Sequence, residues 1–135
     1  MTGSPAVGVP PAPVAMPVVP AGRPLRVMSI LPPRERFAPA EAGAIALLVH
    51  RMASAGEVVV GSSPATAVFA DVPFMPVPPV LFALGATGRY RAGVIRLVGG
   101  IRHELAEVHK RPELALALSR RFPHMPMVLV LHNDP

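Results

Sequence analysis

The stretch LAEVHKRPELALALSRRFPHMPMVLVL, residues 105–131, holds three structural messages in a row. Leu105-Ala106-Glu107-Val108 reads as a short strand. Pro112 opens a helix, because the N–H that proline lacks is one that the first turn leaves unbonded anyway. Leu114, Leu118 and Phe122 then recur every four residues and share one helical face. Met127-Val128-Leu129-Val130-Leu131 is a continuous apolar run, the signature of a strand covered on both faces.

The same alternation extends upstream. Leu25 to Leu31 is an apolar run stopped by Pro32 and Pro33, which suits a first strand. Pro39 is placed to open a helix; Ala44, Ile45, Leu48 and Met52 follow at helical spacing, and Gly56 is placed to end it. Glu57-Val58-Val59-Val60 is a second, β-branched strand. Pro73 to Val77 is a third, held to a sheet edge by its prolines. Thr87 is placed to cap a helix from about Gly88 to Val98, with Tyr90, Val94, Ile95 and Val98 on one face. Alternating strands and helices predict an α/β, Rossmann-like, mostly parallel sheet with right-handed crossovers and helices on both faces.

Composition sets the limits. The chain has 135 residues, enough for one domain with a core of its own. Apolar residues make up 51% and charged ones 16%, which excludes a wholly disordered chain. Seven of the 19 prolines precede Leu25, so residues 1–24 read as a disordered, polyproline-like tail ahead of a domain spanning 25–135. The absence of cysteine rules out disulfides and thiolate metal sites. No apolar run approaches the roughly 20 residues of a membrane span. The N-terminus has no basic start and its apolar stretches are cut by prolines, so it does not read as a signal peptide. The expected location is cytoplasmic. The net charge of +5 favours an anionic ligand or peripheral contact with an anionic inner membrane over nucleic acid, since no stretch interleaves arginines with stacking aromatics.

In a doubly wound sheet, ligands bind at the carboxyl ends of the strands where strand order reverses. With the order 3-2-1-4-5, the loops at that point are Pro32 to Phe37, with Arg34 and Arg36, and His109 to Glu113, with Arg111. The last strand delivers His132 and Asn133 to the same edge. Each residue also has a plainer role: the arginines can be solvated, and Glu113 complements its helix dipole. His103 and His124 carry no signal, and His50 reads as a half-exposed helix residue. There is no G-x-G-x-x-G, no P-loop, no G-x-S-x-G elbow and no H-E-x-x-H, so dinucleotide, P-loop, triad and dedicated metal sites are not expected.

Three segments carry a resemblance. Leu31 to Ile45 is similar to the opening of glycosyltransferases of the family 4 type. Glu107-Val108-His109-Lys110-Arg111-Pro112 resembles that family's "EVHNRP" segment, with Lys110 in place of Asn. Leu131-His132-Asn133-Asp134-Pro135 resembles its "LHNDP" segment. The resemblance implies the acceptor-side, N-terminal half of a two-domain GT-B enzyme, truncated before the half that binds the nucleotide-sugar. It implies a retaining transfer to a glycan or lipid acceptor, as in polysaccharide biosynthesis, with no cofactor and no catalytic metal. His132 would line the cleft near the transferred sugar, with His109 and Arg111 beside it. Gly43 would bring a helix N-terminus to the donor phosphates, although the glycine-rich start common in the family is here only Ala42-Gly43-Ala44. Such a half is not expected to catalyse transfer alone. The competing expectation is a small non-catalytic α/β binding or interaction domain, which should have its last strand covered.

Overall fold

The computed structural model describes residues 25–53, 56–78 and 85–132; the proline-rich segment 1–24 and Asn133 lie outside them. Its elements, in chain order, are β1 (Val27–Ile30), α1 (Ala44–Met52), β2 (Glu57–Gly61), β3 (Phe74–Pro76), α2 (Gly85–Gly100), β4 (Leu105–His109), α3 (Pro112–Arg121) and β5 (Met127–Val130). The five strands form one sheet in the order β3-β2-β1-β4-β5. Every neighbouring pair is parallel. This is an α/β, Rossmann-like fold.

Strand periodicity sorts the core into two layers. Met28 and Ile30 of β1, Val60 of β2, and Ala106 and Val108 of β4 face α2 and α3, where Tyr90, Val94, Val98, Leu114 and Leu118 meet them. Val59 and the chain after β1, through Leu31 and Phe37, face α1 with Ile45, Ala46 and Val49. All four residues of β1 are buried, as a central strand covered on both sides requires. β5 is different. Val128 is 45% and Leu129 36% exposed, and Leu131 beyond it 69%. β5 is an edge strand exposed on both faces: Val128 shares the face of Glu107, and Leu129 that of Val108.

Two helix starts differ from the sequence reading. Pro39 does not open α1: Ala38 O accepts from both Glu41 N and Ala42 N, closing a single turn. Gly43 then takes an extended conformation (φ −86°, ψ −170°), and α1 begins only at Ala44. α2 begins at Gly85, so Thr87 lies inside its first turn and is not its cap. β4 runs one residue further than read and includes His109. α3 starts at Pro112, with Glu113 in its first turn.

Candidate functional site

The carboxyl edge of the sheet is where the loops after β1, β4 and β5 emerge. At the end of β4 the backbone turns over. Lys110 has φ 70°, the left-handed region that side chains other than glycine and asparagine rarely enter. Its N–H still donates to Val130 O at 2.8 Å, which ties the turn to β5. The reversal sends the residues on either side of Lys110 to opposite faces of the sheet. His109 goes to the α1 side and Arg111 to the α2/α3 side.

On the α1 side, His109 is 6% exposed. Its Nδ1 lies 3.1 Å from His132 Nε2, so the two histidines at the ends of neighbouring strands share one hydrogen bond. Its Nε2 faces Glu107 Oε1 at 3.4 Å. That contact is electrostatic and not a formed hydrogen bond, since Nε2 is buried without a hydrogen-bond partner. Ser29, in register with Glu107 across the β1–β4 pairing, has its Oγ 3.3 Å from the same carboxylate oxygen and 3.4 Å from Glu57 Oε2. These groups line an open hollow of about 520 Å³ walled by Leu48, Val49 and Met52 of α1. Burial holds the His109 imidazole below its ordinary pKa; the Glu107 carboxylate pulls it back up, and His132 adds to the depression. His109 is therefore held neutral.

On the other face, Pro33, Thr87, Tyr90, Arg91, Arg111 and Glu113 surround a smaller cleft of about 280 Å³. The Tyr90 hydroxyl donates to Leu31 O, pinning α2 to the end of β1. Burial pushes the Tyr90 phenol well above its ordinary range, against the opposing pull of Arg36 and Arg111. Arg111 Nη1 lies 3.3 Å from Glu113 Oε1. With Arg91 opposite, the cleft presents two guanidinium groups, and one carboxylate answers them.

The remaining expected site residues separate. Arg34 is exposed on the turn after β1. Arg36 is spent on its own loop, donating from Nη1 to Pro33 O at 2.8 Å and to Glu35 O at 3.3 Å. Gly43 is the N-cap of α1, but the helix terminus is filled from within: Ala46 N donates to Glu35 Oε1 at 2.9 Å. A Cβ on Gly43 would lie 2.8 Å from Glu35 Oε2, so the glycine is what lets the carboxylate in. A phosphate at this terminus would have to displace Glu35. Asn133 lies outside the described residues. His50, read as a half-exposed surface residue, has a structural function: it stacks on Phe69 with ring centroids 3.9 Å apart and lies 2.9 Å from Asp71 Oδ1.

Glu107, Tyr90 and Arg91 were not singled out as site residues by the sequence. Glu107 had one available signal. It is an acidic residue on a strand flanked by buried neighbours, which calls for a partner. Among the described residues, no group of three or more His, Asp or Glu side chains is arranged to hold a metal ion, and no helix is long and apolar enough to cross a membrane. Comparison of the chain with models of protein families, with curated proteins and with solved structures finds no match in any of the three.

Proposed function

We propose that this chain is the acceptor-side half of a retaining, nucleotide-sugar-dependent glycosyltransferase of the GT-B type. One observation carries the reading. The two segments that resemble glycosyltransferase motifs supply His109 and His132, 23 residues apart, and these meet at 3.1 Å on the carboxyl edge of the sheet. That edge, beside the central strand, is where open α/β sheets bind ligands.

The chemistry fits a sugar. His132 is half-buried and held by a neutral neighbour, so it can hydrogen-bond a hydroxyl or stabilise charge building on an oxocarbenium-like transition state. Arg111 and Arg91 on the opposite face of the same edge suit an anionic acceptor, such as the phosphate of a lipid carrier at a membrane surface. The nucleotide would be bound by a second half, so transfer is expected only from a polypeptide or complex that includes one.

The test is a transfer assay on an assembly that joins this half to a donor-binding half. His132→Ala is expected to lower kcat/KM by about tenfold to a thousandfold, or roughly 1.4 to 4 kcal/mol, with the fold retained and the Tm lowered, since the buried His109 Nδ1 loses its partner. His124, exposed and remote from the histidine pair, is the control. Transfer by His132→Ala at the parental rate would remove His132 from the site.

A further inference from the structure

His109 touches two partners with two ring nitrogens, and a neutral imidazole has one N–H and one lone pair to divide between them. Nδ1 faces His132 Nε2 at 3.1 Å, and Nε2 faces Glu107 Oε1 at 3.4 Å. The two contacts therefore cannot be set independently. With its proton on Nδ1, His109 would donate to His132 and turn a buried lone pair toward a carboxylate oxygen, so that two acceptors confront each other. With its proton on Nε2, the N–H lies beside the carboxylate at 3.4 Å, favoured by its charge without a formed hydrogen bond, and Nδ1 is left to accept from His132.

We propose that Glu107, acting through His109, fixes His132 in the tautomer that carries its proton on Nε2 and its lone pair on Nδ1. Glu107 and His109 are positioning residues in this arrangement. Ser29 supports them, because its hydroxyl lies 3.3 Å from the Glu107 oxygen that faces His109. The described residues that line the hollow beside His109 are Ser29, Glu57, Glu107, Val130 and three apolar residues of α1, with no cation among them. Nothing in that lining competes with the carboxylate for the position of the proton.

The consequence is a rule for the ligand. A His132 whose only lone pair is on Nδ1 accepts a hydrogen bond and does not donate a second one. The group it takes must be a donor, a hydroxyl or an amine, and not a carbonyl or phosphate oxygen. For the proposed glycosyltransferase this selects a sugar hydroxyl over the phosphates of the donor. That use rests on the functional reading above, whereas the tautomer does not.

The tautomers are read directly from long-range proton–nitrogen correlation spectra of the histidine-labelled chain, above the ordinary imidazole pKa. Nitrogen–nitrogen coupling across the hydrogen bond identifies the donor ring. The expected result is a proton covalently on His132 Nε2, coupled to an unprotonated His109 Nδ1. A proton found on His109 Nδ1 overturns the proposal. In Glu107→Val and in Glu107→Gln, which both remove the charge, both His109 tautomers should become populated and the coupling should fall. Unmixed parental shifts in Glu107→Val would show that Glu107 does not set the tautomer. If that variant does not fold, the identity of the donor in the parent chain still decides. The spectra do not depend on activity, so a failed transfer assay with the expected tautomers would reject the enzyme reading and leave this one standing.

Discussion

Replacing Lys110 should make the protein more stable. Lys110 is exposed, and its backbone is held at φ 70° where the chain turns over between β4 and α3. In that conformation Cβ crowds the following carbonyl at a cost of roughly 1–2 kcal/mol. Glycine removes the whole clash but gives back about 0.5–1 kcal/mol through the freedom it adds to the unfolded chain. Asparagine relieves part of the clash without that loss. Both Lys110→Gly and Lys110→Asn are therefore expected to gain about 0.5–1 kcal/mol, a rise in Tm of a few degrees for a domain of this size. Lys110→Val should lose stability, because a β-branched residue tolerates positive φ least. The backbone bond from residue 110 N to Val130 O is kept in all three. Urea denaturation of the four proteins at one pH measures the differences. If glycine and asparagine both leave the midpoint unchanged or lower it while valine is neutral, the strained turn is not there. If both raise it, the asparagine at this place in the resembled "EVHNRP" segment has a backbone reason as well as any chemical one.

Two further predictions concern groups seated against the backbone and the sheet. Gly43→Ala should cost about 1 kcal/mol by pushing the Glu35 carboxylate off the Ala46 N–H, a loss within the range for helix caps. In a Glu35→Ala background the same substitution should cost almost nothing, and a double-mutant cycle showing additivity would refute the coupling. For His109, burial lowers the folded-state pKa below the ordinary value of 6.5, so the unfolded chain takes up the proton first. Its contribution to stability is complete above that value and is lost as pH falls beneath it. The denaturation midpoint of the parent should drop between about pH 7.5 and 5.5 more steeply than that of His109→Gln, and parallel slopes would contradict the assignment. Glu41 and Asp71 are held below their ordinary carboxylate range, chiefly by Thr66 and by His50 respectively, so their losses fall at lower pH, outside this window.

The sheet was legible because its strands announce themselves by runs of apolar and β-branched residues, and because the crossover rule leaves few ways to order them. β1 and β5 could be read from composition alone. Pro112 worked as a helix start because nothing preceded it but a strand end, and Pro39 failed because Ala38 O captured the next two N–H groups in a closed turn. The true start of α1 depends on Glu35, eleven residues before the Ala46 N–H it caps, a separation at which no helical or strand period operates. The histidine pair was half legible. Strand ends on one sheet edge could be expected to bring His109 and His132 together, whereas the reversal at Lys110 that parts His109 from Arg111 is a property of one dihedral angle. Glu107 escaped notice because a carboxylate that works by orienting a neighbour leaves no spacing of its own.

The two borders of the sheet have unequal capacities for growth. In β3, Val77 N donates inward to Gly61 O and Pro73 O accepts inward from Val59 N, so the groups of residues 74, 76 and 78 point outward. Positions 76 and 78 are prolines with no hydrogen to offer, so Phe74 alone of the three keeps an outward donor and the β3 border is a poor template for another strand. The β5 border has no such block between Met127 and Val130. Strand addition is therefore better supplied with donors on one side of the molecule than on the other. Two chains joined β5 to β5 about a twofold axis would close on themselves and stop. The head-to-tail joining of β5 to β3 that would propagate a filament finds one N–H, that of Phe74, on its receiving side among positions 74, 76 and 78. The prolines at the far border thus leave that side of the sheet short of donors for a further strand.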